Sequence, residues 1–112
     1  MKSTKHPTQS ELAQALRSEI QGKVFWRGWR GGSWHYWDLR REQWCHLPPS
    51  EMSRRIMQFL DAQPAFQSGY TFGLVTSIER LLRAHLGYHG SFSSKEARNP
   101  SLLAQVGEEA LQ

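Results

Sequence analysis

One stretch of the chain, VFWRGWRGGSWHYWDLRREQWCHLP, interleaves tryptophans with arginines. This stretch, residues 24–48, holds all five tryptophans of the 112-residue chain. Arginine neutralises phosphate, and aromatic rings stack on nucleic-acid bases at roughly 1 to 3 kcal/mol per base. The mixture therefore predicts a nucleic-acid contact surface. Its candidate phosphate contacts are Arg27, Arg30, Arg40 and Arg41, and its candidate stacking or groove contacts are Trp29, His35 and Trp37.

The same tryptophans could instead belong to the hydrophobic core, because aromatic side chains dominate core burial. The arginines could equally lie on a solvated face. A small sheet covered by helices on one side leaves its other side in water, so some rings should remain exposed. We expect Trp34 and Trp44 to be buried on a sheet face that they share with Tyr36. We expect Trp29 and Trp37 to be exposed.

Metal-binding and catalytic chemistry lack the residue patterns that they require. Cys45 and His46 are adjacent, so in a strand they point to opposite faces and cannot form a thiolate–imidazole pair. His85 and His89 have a spacing that zinc sites use, but the sequence lacks the cysteine pair of a structural zinc site. It also lacks a Walker-type phosphate loop and a dinucleotide-binding glycine motif. We expect no catalytic residue, no metal and no cofactor.

Charge and hydropathy give the broad class of the protein. Fourteen Lys and Arg against ten Asp and Glu give a net charge of +4, a modest bias toward polyanions. No apolar run approaches the roughly 18 residues that cross a bilayer, and no apolar segment of a secretory signal follows the charged N-terminus. A single cysteine, Cys45, cannot form an internal disulfide. We expect a cytoplasmic protein that does not enter a membrane.

The first half of the chain predicts one helix followed by three strands. Thr8 and Glu11 have the spacing of a capping box, and the apolar residues that follow at intervals of four predict a helix over residues 9–21. From residue 24 the β-favouring residues dominate, with Gly31-Gly32 as a hairpin turn and residues 38–43 as a second turn. A short third strand over residues 44–47 ends at two prolines. The strands form a small antiparallel meander.

The second half predicts two packed helices. Ser50 has the residue type of an N-cap, and the helix after it carries an apolar stripe and stops before Pro64. The next helix, which ends at Gly87, carries a stronger stripe. The fold class is therefore α+β, with a flexible arm at residues 1–7, one domain at residues 8–87, and a linker with a weak helix at residues 88–112. In one interpretation this is a winged-helix arrangement, with residues 30–33 as the wing.

The spacing of these aromatic and apolar residues resembles a known family. The pattern consists of Ser33-Trp34-His35-Tyr36-Trp37 through Trp44, then Met52-x3-Ile56-x2-Phe59-Leu60, then Val75-x2-Ile78-x2-Leu81-Leu82. It is similar, over about residues 24–87, to the domain preceding the superfamily 3 helicase in phage, plasmid and poxvirus-type primase-helicases. This chain departs from the family in a longer turn at residues 38–43 without the family's glycine, and no Walker-type helicase follows.

The resemblance implies a non-catalytic accessory domain that binds nucleic acid in the replication of a mobile element. DNA is then a better candidate than RNA, and a replication helicase or primase is the implied protein partner. The alternative is a protein-interaction module that docks a replication or host protein through exposed aromatic residues. The two differ in salt dependence, because phosphate contacts release counterions and a hydrophobic dock does not.

Overall fold

The structure, a computed structural model, describes residues 7–28, 32–90 and 92–106. It confirms the α+β class. The elements in chain order are α1 (Gln9–Ile20), β1 (Val24–Arg27), β2 (Ser33–Asp38), β3 (Gln43–Leu47), α2 (Pro49–Asp61), a 3-10 turn (Pro64–Phe66), α3 (Phe72–His85), β4 (Gly87–Tyr88), α4 (Ser94–Ala97) and a second 3-10 turn (Pro100–Gln105). None of the helices in the described ranges is long and apolar enough to span a membrane.

The beginnings of the three longer helices are set by different local interactions. At α1 the predicted capping box is confirmed: Glu11 N donates to Thr8 Oγ1 at 3.1 Å, and Thr8 N donates to Glu11 Oε1 at 2.8 Å. At α3 the cap is the side chain of Thr71 alone, whose Oγ1 accepts from Leu74 N at 3.2 Å. The prediction that Ser50 caps α2 is wrong, since that helix begins at Pro49, whose fixed φ suits a first helical turn.

The sheet has the strand order β3-β2-β1-β4. β1 pairs antiparallel with β2, which places Trp26 opposite Trp34, and β2 pairs antiparallel with β3, which places Trp37 opposite Trp44. β4 pairs parallel with β1. The predicted three-stranded antiparallel meander is therefore correct for β1 to β3 but wrong for the whole sheet. β4 has only two residues, too few to show a strand pattern in the sequence.

One face of the sheet packs against the three longer helices and forms the main core. The strands contribute Val24, Trp34 and Leu47, all buried. The helices contribute Leu12, Ala13, Leu16 and Ile20 from α1, Met52, Ile56, Phe59 and Leu60 from α2, and Val75, Ile78 and Leu82 from α3. The apolar stripes predicted for the three helices are thus confirmed as the helix faces that pack into the main core.

The opposite face of the sheet is covered by the C-terminal part of the chain. The second buried cluster consists of Phe25, Trp44, Tyr88 and Leu102. The expectation that this face is left in water is wrong for its centre, although Arg27 and Trp37 at its ends are only half-buried. The expectation of a linker after residue 87 is wrong for the described residues 88–90 and 92–106. Tyr88 is 4% exposed and Leu102 is 1% exposed. In this part of the sequence, Gly, Ser and charged residues separate the few apolar side chains that pack on the sheet. The apolar residues are therefore too widely spaced to form a recognisable pattern.

The tryptophans divide between these two faces in a way that the sequence predicts only in part. Trp34 and Trp44 are 2% and 3% exposed, so their predicted burial is confirmed. They do not share a face, however. The register pairs Tyr36 with Cys45, so Trp34 and Tyr36 point toward the helices while Trp44 points to the other side. A one-residue shift in register exchanges the two faces of a strand.

Candidate nucleic-acid interface

A groove with a volume of about 410 Å³ lies at the end of the sheet where the chain passes from α1 into β1. We call it the sheet-end groove. Its lining residues are Gly22, Lys23, Tyr36, Trp37, Leu39 and Arg55. The backbone N–H of Trp37 donates to Lys23 O at 3.2 Å, which extends the β1–β2 pairing to the groove. Tyr36 and Trp37 are half-buried, and both residues line the groove.

The helix α2 supplies a cation to this groove. Arg55 lies off the apolar stripe of α2, and its guanidinium carbon is 6.0 Å from the centroid of the Tyr36 ring. This distance is within the range of cation–π attraction. The Tyr36 hydroxyl donates to Asp38 Oδ2 at 3.4 Å. The Tyr36 ring thus lies near the Arg55 guanidinium group, and its hydroxyl is bound to the Asp38 carboxylate at the start of the next turn.

The turn between β2 and β3 places two arginines beside the sheet-end groove. Asp38 Oδ1 accepts from the backbone N–H of Arg40 at 2.9 Å and from that of Arg41 at 3.1 Å. The Arg41 N–H is the main cause that lowers the pKa of Asp38 below its ordinary value. Glu42 closes the turn with a φ of 52°. Leu39, which is 83% exposed, and both arginine side chains therefore project into solvent.

Basic residues outnumber acidic residues at this end of the sheet. Asp38 and Glu42 are the acidic residues of the turn. Within the described ranges, no ion pair neutralises any of the four basic residues Lys23, Arg40, Arg41 and Arg55. The ion pairs of this part of the chain instead join Arg54 to Glu51 and Arg83 to Glu79. The sheet-end groove therefore combines accessible aromatic side chains with cations that are available to an anionic ligand.

Arg27 lies at the other end of the sheet. It pairs with Ser33 at the start of β2, whereas the arginine turn follows Asp38 at the end of that strand. Five residues of strand separate the two ends by roughly 17 Å. The Arg27 guanidinium carbon is 5.4 Å from the ring centroid of Phe92. The predicted phosphate contacts therefore do not form one patch.

His35 is buried, with 7% of its surface exposed. Its ring stacks on Phe25 with centroids 5.2 Å apart and an interplanar angle of 9°, and the Phe92 ring lies 4.9 Å away. Burial, together with the charges of His46 and Arg27, lowers the pKa of His35 to about 4. The prediction of His35 as a surface contact is wrong, because the C-terminal part of the chain covers its face of the sheet.

Trp37 is half-buried rather than exposed as the sequence predicts. Its ring makes an edge contact with Trp44 at a centroid distance of 5.2 Å, while the residue also lines the sheet-end groove. Trp29 and Arg30 lie outside the described residues, as does Gly31 of the predicted hairpin turn. Their contacts, and the wing at residues 30–33, remain predictions.

Five of the six residues that line the sheet-end groove are missing from the predicted set, and three of these five have a cationic or aromatic side chain: Lys23, Tyr36 and Arg55. Lys23 follows Gly22, whose φ of 87° redirects the chain from α1 into β1. In the sequence, neither its position after Gly22 nor the turn that Gly22 makes indicates that Lys23 is a binding residue. Arg55 carries one usable signal, its position off the apolar stripe of α2. The sequence predicts Tyr36 on the core side of the sheet, and Tyr36 packs against the main core while it also lines the groove.

Comparison of the chain with protein-family models, with curated proteins and with solved structures finds no match. The resemblance to the domain preceding the superfamily 3 helicase therefore stays a prediction that rests on residue spacing. In the part of the chain that the structure describes, no three His, Cys, Asp or Glu side chains are grouped as a metal ion requires.

Proposed function

We propose that this protein binds single-stranded nucleic acid at the sheet-end groove. The observation that carries the proposal is the placement of half-buried Tyr36 and Trp37 beside Lys23 and Arg55, with Arg40 and Arg41 on the adjoining turn. Proteins that bind single strands combine such aromatic side chains, on which bases stack, with cations that follow the phosphates.

The size of the groove favours a single strand over a duplex. A volume of about 410 Å³ can receive one base with its sugar, but not the width of a double helix. In a duplex the base faces are already stacked on one another and are not available to Trp37 or Tyr36. Bases of a single strand can enter the groove at a smaller cost.

The identity of the nucleic acid and its biological setting form a finer part of the proposal. DNA is favoured over RNA by the resemblance to the domain preceding the superfamily 3 helicase. The same resemblance favours a non-catalytic role in the replication of a mobile element, with a helicase or primase as partner. The aromatic and basic residues of the groove are compatible with either sugar, so the experiment compares the two directly.

The test is a titration of the full chain with labelled single-stranded DNA, single-stranded RNA and duplex DNA at two or more salt concentrations, followed by anisotropy. For single strands, the slope of log K against log salt concentration is about −0.7 per neutralised phosphate, because counterions are released. Four cations therefore predict a slope of about −3. The double substitution Lys23→Ala and Arg55→Ala should weaken binding and reduce that slope by about 1.4.

Two further variants make this test specific. Arg80→Ala removes an exposed arginine of α3 that lies outside the groove, so it should leave the affinity nearly unchanged. Trp37→Phe should remove most of the ligand-induced change in tryptophan fluorescence, since stacking quenches an accessible indole. Equal affinities of the wild type and the Lys23→Ala and Arg55→Ala variant would show that the groove is not the binding site.

A second candidate function is the docking of a partner protein, and one observation favours it. Phe72 at the start of α3 is 69% exposed, and Met57 on α2 is 40% exposed. Between these two helices, the Tyr70 hydroxyl hydrogen-bonds to Asp61 Oδ1 at 2.8 Å and to Met57 O at 3.2 Å. Binding of a partner at such an apolar surface would be nearly independent of salt, and Phe72→Ser would abolish it without changing binding to nucleic acid.

A further inference from the structure

A large aromatic surface lies hidden on the face of the sheet away from the three longer helices. Phe25 is at its centre, with the rings of Trp44 and Tyr88 at centroid distances of 4.9 and 5.6 Å. His35 stacks on Phe25, and Trp37 extends the surface beyond Trp44. We call this surface the covered face. Its residues are Phe25, Arg27, His35, Trp37, Trp44 and Tyr88.

One polar group of the covered face is buried without a hydrogen-bond partner. Arg27 Nε makes no hydrogen bond with any residue in the described ranges. Buried His35 Nδ1 makes none of good geometry there, although the backbone of Ser33 lies close enough to act on the imidazole. The Phe92 ring, which has no hydrogen-bonding atom, lies against both side chains. An unpaired buried donor disfavours the state in which it is buried, and a ligand with an acceptor atom would satisfy the Arg27 Nε–H.

The segment that hides this face, residues 92–106, is small, and we call it the C-terminal cover. Its α-helix has only four residues, and its backbone bonds from Ala97 N to Ser93 O and from Leu102 N to Asn99 O are internal to the cover. A hydrogen bond of 3.0 Å from Trp44 Nε1 to Asn99 O ties the cover to the sheet. β4 precedes the cover and is held separately by its pairing with β1.

The covered face is continuous with the sheet-end groove through a single side chain. Trp37 lines the groove and at the same time contacts Trp44 at 5.2 Å. From there the rings of Phe25 and His35 lead across the sheet to Arg27. A single strand that enters the groove would therefore meet further stacking surfaces, and then a guanidinium group, if the cover moved away.

We propose that the C-terminal cover is displaceable and that it conceals an extension of the binding surface for single-stranded nucleic acid. The proposal rests on the function proposed above. In the open form the bases stack on Trp37, Trp44 and Phe25, and the Arg27 guanidinium group binds a phosphate. The closed form contacts the strand at the groove alone and binds a shorter stretch more weakly.

The test uses the full chain with Leu102→Ala, which truncates a side chain of the cover that is only 1% exposed. Apparent affinity scales with the population of the competent form, so this variant should bind long oligothymidylates about three- to tenfold more tightly than the wild type. The stretch of nucleotides occluded by each molecule should also lengthen. Leu12→Ala, which removes a buried leucine of α1 from the main core, should do neither.

Hydrogen exchange on the same variants shows whether the cover has opened. Amides of residues 92–106 should exchange faster in Leu102→Ala, while those of α3 keep their protection. If Leu102→Ala alone leaves the cover closed, the double variant with Phe92→Ala replaces it. A double variant whose cover stays protected, or one that opens without any gain in affinity or site length, overturns the proposal.

Further variants separate this inference from the function on which it rests. Tight binding by Leu102→Ala that is lost on adding Arg27→Ala supports the covered face. Suppose that Lys23→Ala and Arg55→Ala weaken binding by the wild type, but opening the cover changes neither affinity nor site length. The groove is then the binding site, and the proposal for the covered face is contradicted. If the open variant binds equally well with and without Lys23→Ala and Arg55→Ala, the covered face is the binding site and the groove is not. No binding by either form overturns both.

Discussion

The indole Nε1 of Trp34 donates a 2.8 Å hydrogen bond to Oε2 of Glu79, joining the sheet to α3. The same oxygen accepts from Arg83 Nε at 2.9 Å. The Arg83 guanidinium carbon in turn lies 4.0 Å from the ring centroid of Trp26. Because the Glu79 side chain is only 16% exposed, these two donors compensate for the partial loss of its hydration.

Replacing Glu79 by alanine should therefore destabilise the protein. The substitution leaves the buried Trp34 N–H without an acceptor, which costs about 1 to 3 kcal/mol. Glu79→Gln retains an acceptor for the indole and should cost less. Urea unfolding followed by tryptophan fluorescence measures both variants. Glu19→Ala, at an exposed position of α1, serves as the control and should change the free energy of unfolding by no more than about 0.5 kcal/mol.

Stability should depend on pH through His35. Its pKa is about 4 in the folded protein and 6.5 in the unfolded chain, so the unfolded chain binds a proton first as the pH falls. The free energy of unfolding should then fall by about 3 kcal/mol between pH 6.5 and pH 4, with the full contribution present above that window. His46 and Arg27, which face His35, contribute to the shift.

Urea titrations across this pH window test the assignment to His35. His35→Phe should remove that part of the pH dependence, while His89→Gln, at an exposed position, should keep it. A pH dependence that is the same in wild type and His35→Phe would mean that folding does not lower the pKa of His35.

The arginines of the β2–β3 turn should contribute to binding but not to stability. Arg40→Ala and Arg41→Ala remove exposed side chains whose backbone N–H groups, rather than guanidinium groups, hold the turn. Together they should weaken oligonucleotide binding and lower its salt slope by about 1.4, with a change of no more than about 0.5 kcal/mol in unfolding. Titration and urea unfolding of the same samples separate the two effects.

Truncation of the core-facing side chains of α3 should lower the stability of the protein, unlike the substitutions in the β2–β3 turn. Ile78 and Leu82 are both fully buried, so Ile78→Ala or Leu82→Ala should cost roughly 2 to 5 kcal/mol. A loss well below 1 kcal/mol in urea unfolding would contradict the packing of α3 against the sheet and α1. Arg80→Ala on the exposed side of the same helix is the matched control.

Relief of backbone strain at Glu42 should stabilise the protein. A non-glycine residue at a φ of 52° costs about 1 kcal/mol, and Glu42→Gly removes that cost at the expense of a more flexible unfolded chain. We expect a net gain of up to about 0.5 kcal/mol in thermal or urea unfolding. Glu42→Ala keeps the Cβ and with it the backbone strain, so it should show no gain.

The helices follow from the sequence because their signals are local. Thr8 and Glu11 specify the beginning of α1, and the spacing from Met52 to Leu60 specifies the buried side of α2. The burial of Trp34 and Trp44 is also predictable, since large rings in a small domain fill its core. These features depend on residues that are close together along the chain.

The sheet register and the candidate site depend on pairings that no local pattern encodes. Nothing in the sequence around Gly87 indicates that it pairs with a strand that precedes two helices. The burial of His35 follows from that pairing, because β4 directs residues 92–106 across the sheet. Lys23 and Arg55 meet at one groove only after α2 has packed on the sheet.

The parallel pairing of β4 also has a consequence for refolding. β1, β2 and β3 pair across short connections, whereas β4 pairs with β1 across the long connection that contains α2 and α3. Closing that long loop costs more entropy, so we expect the β1–β4 pairing to form more slowly than the other two. The aromatic face should then stay uncovered until residues 92–106 pack on it late in refolding.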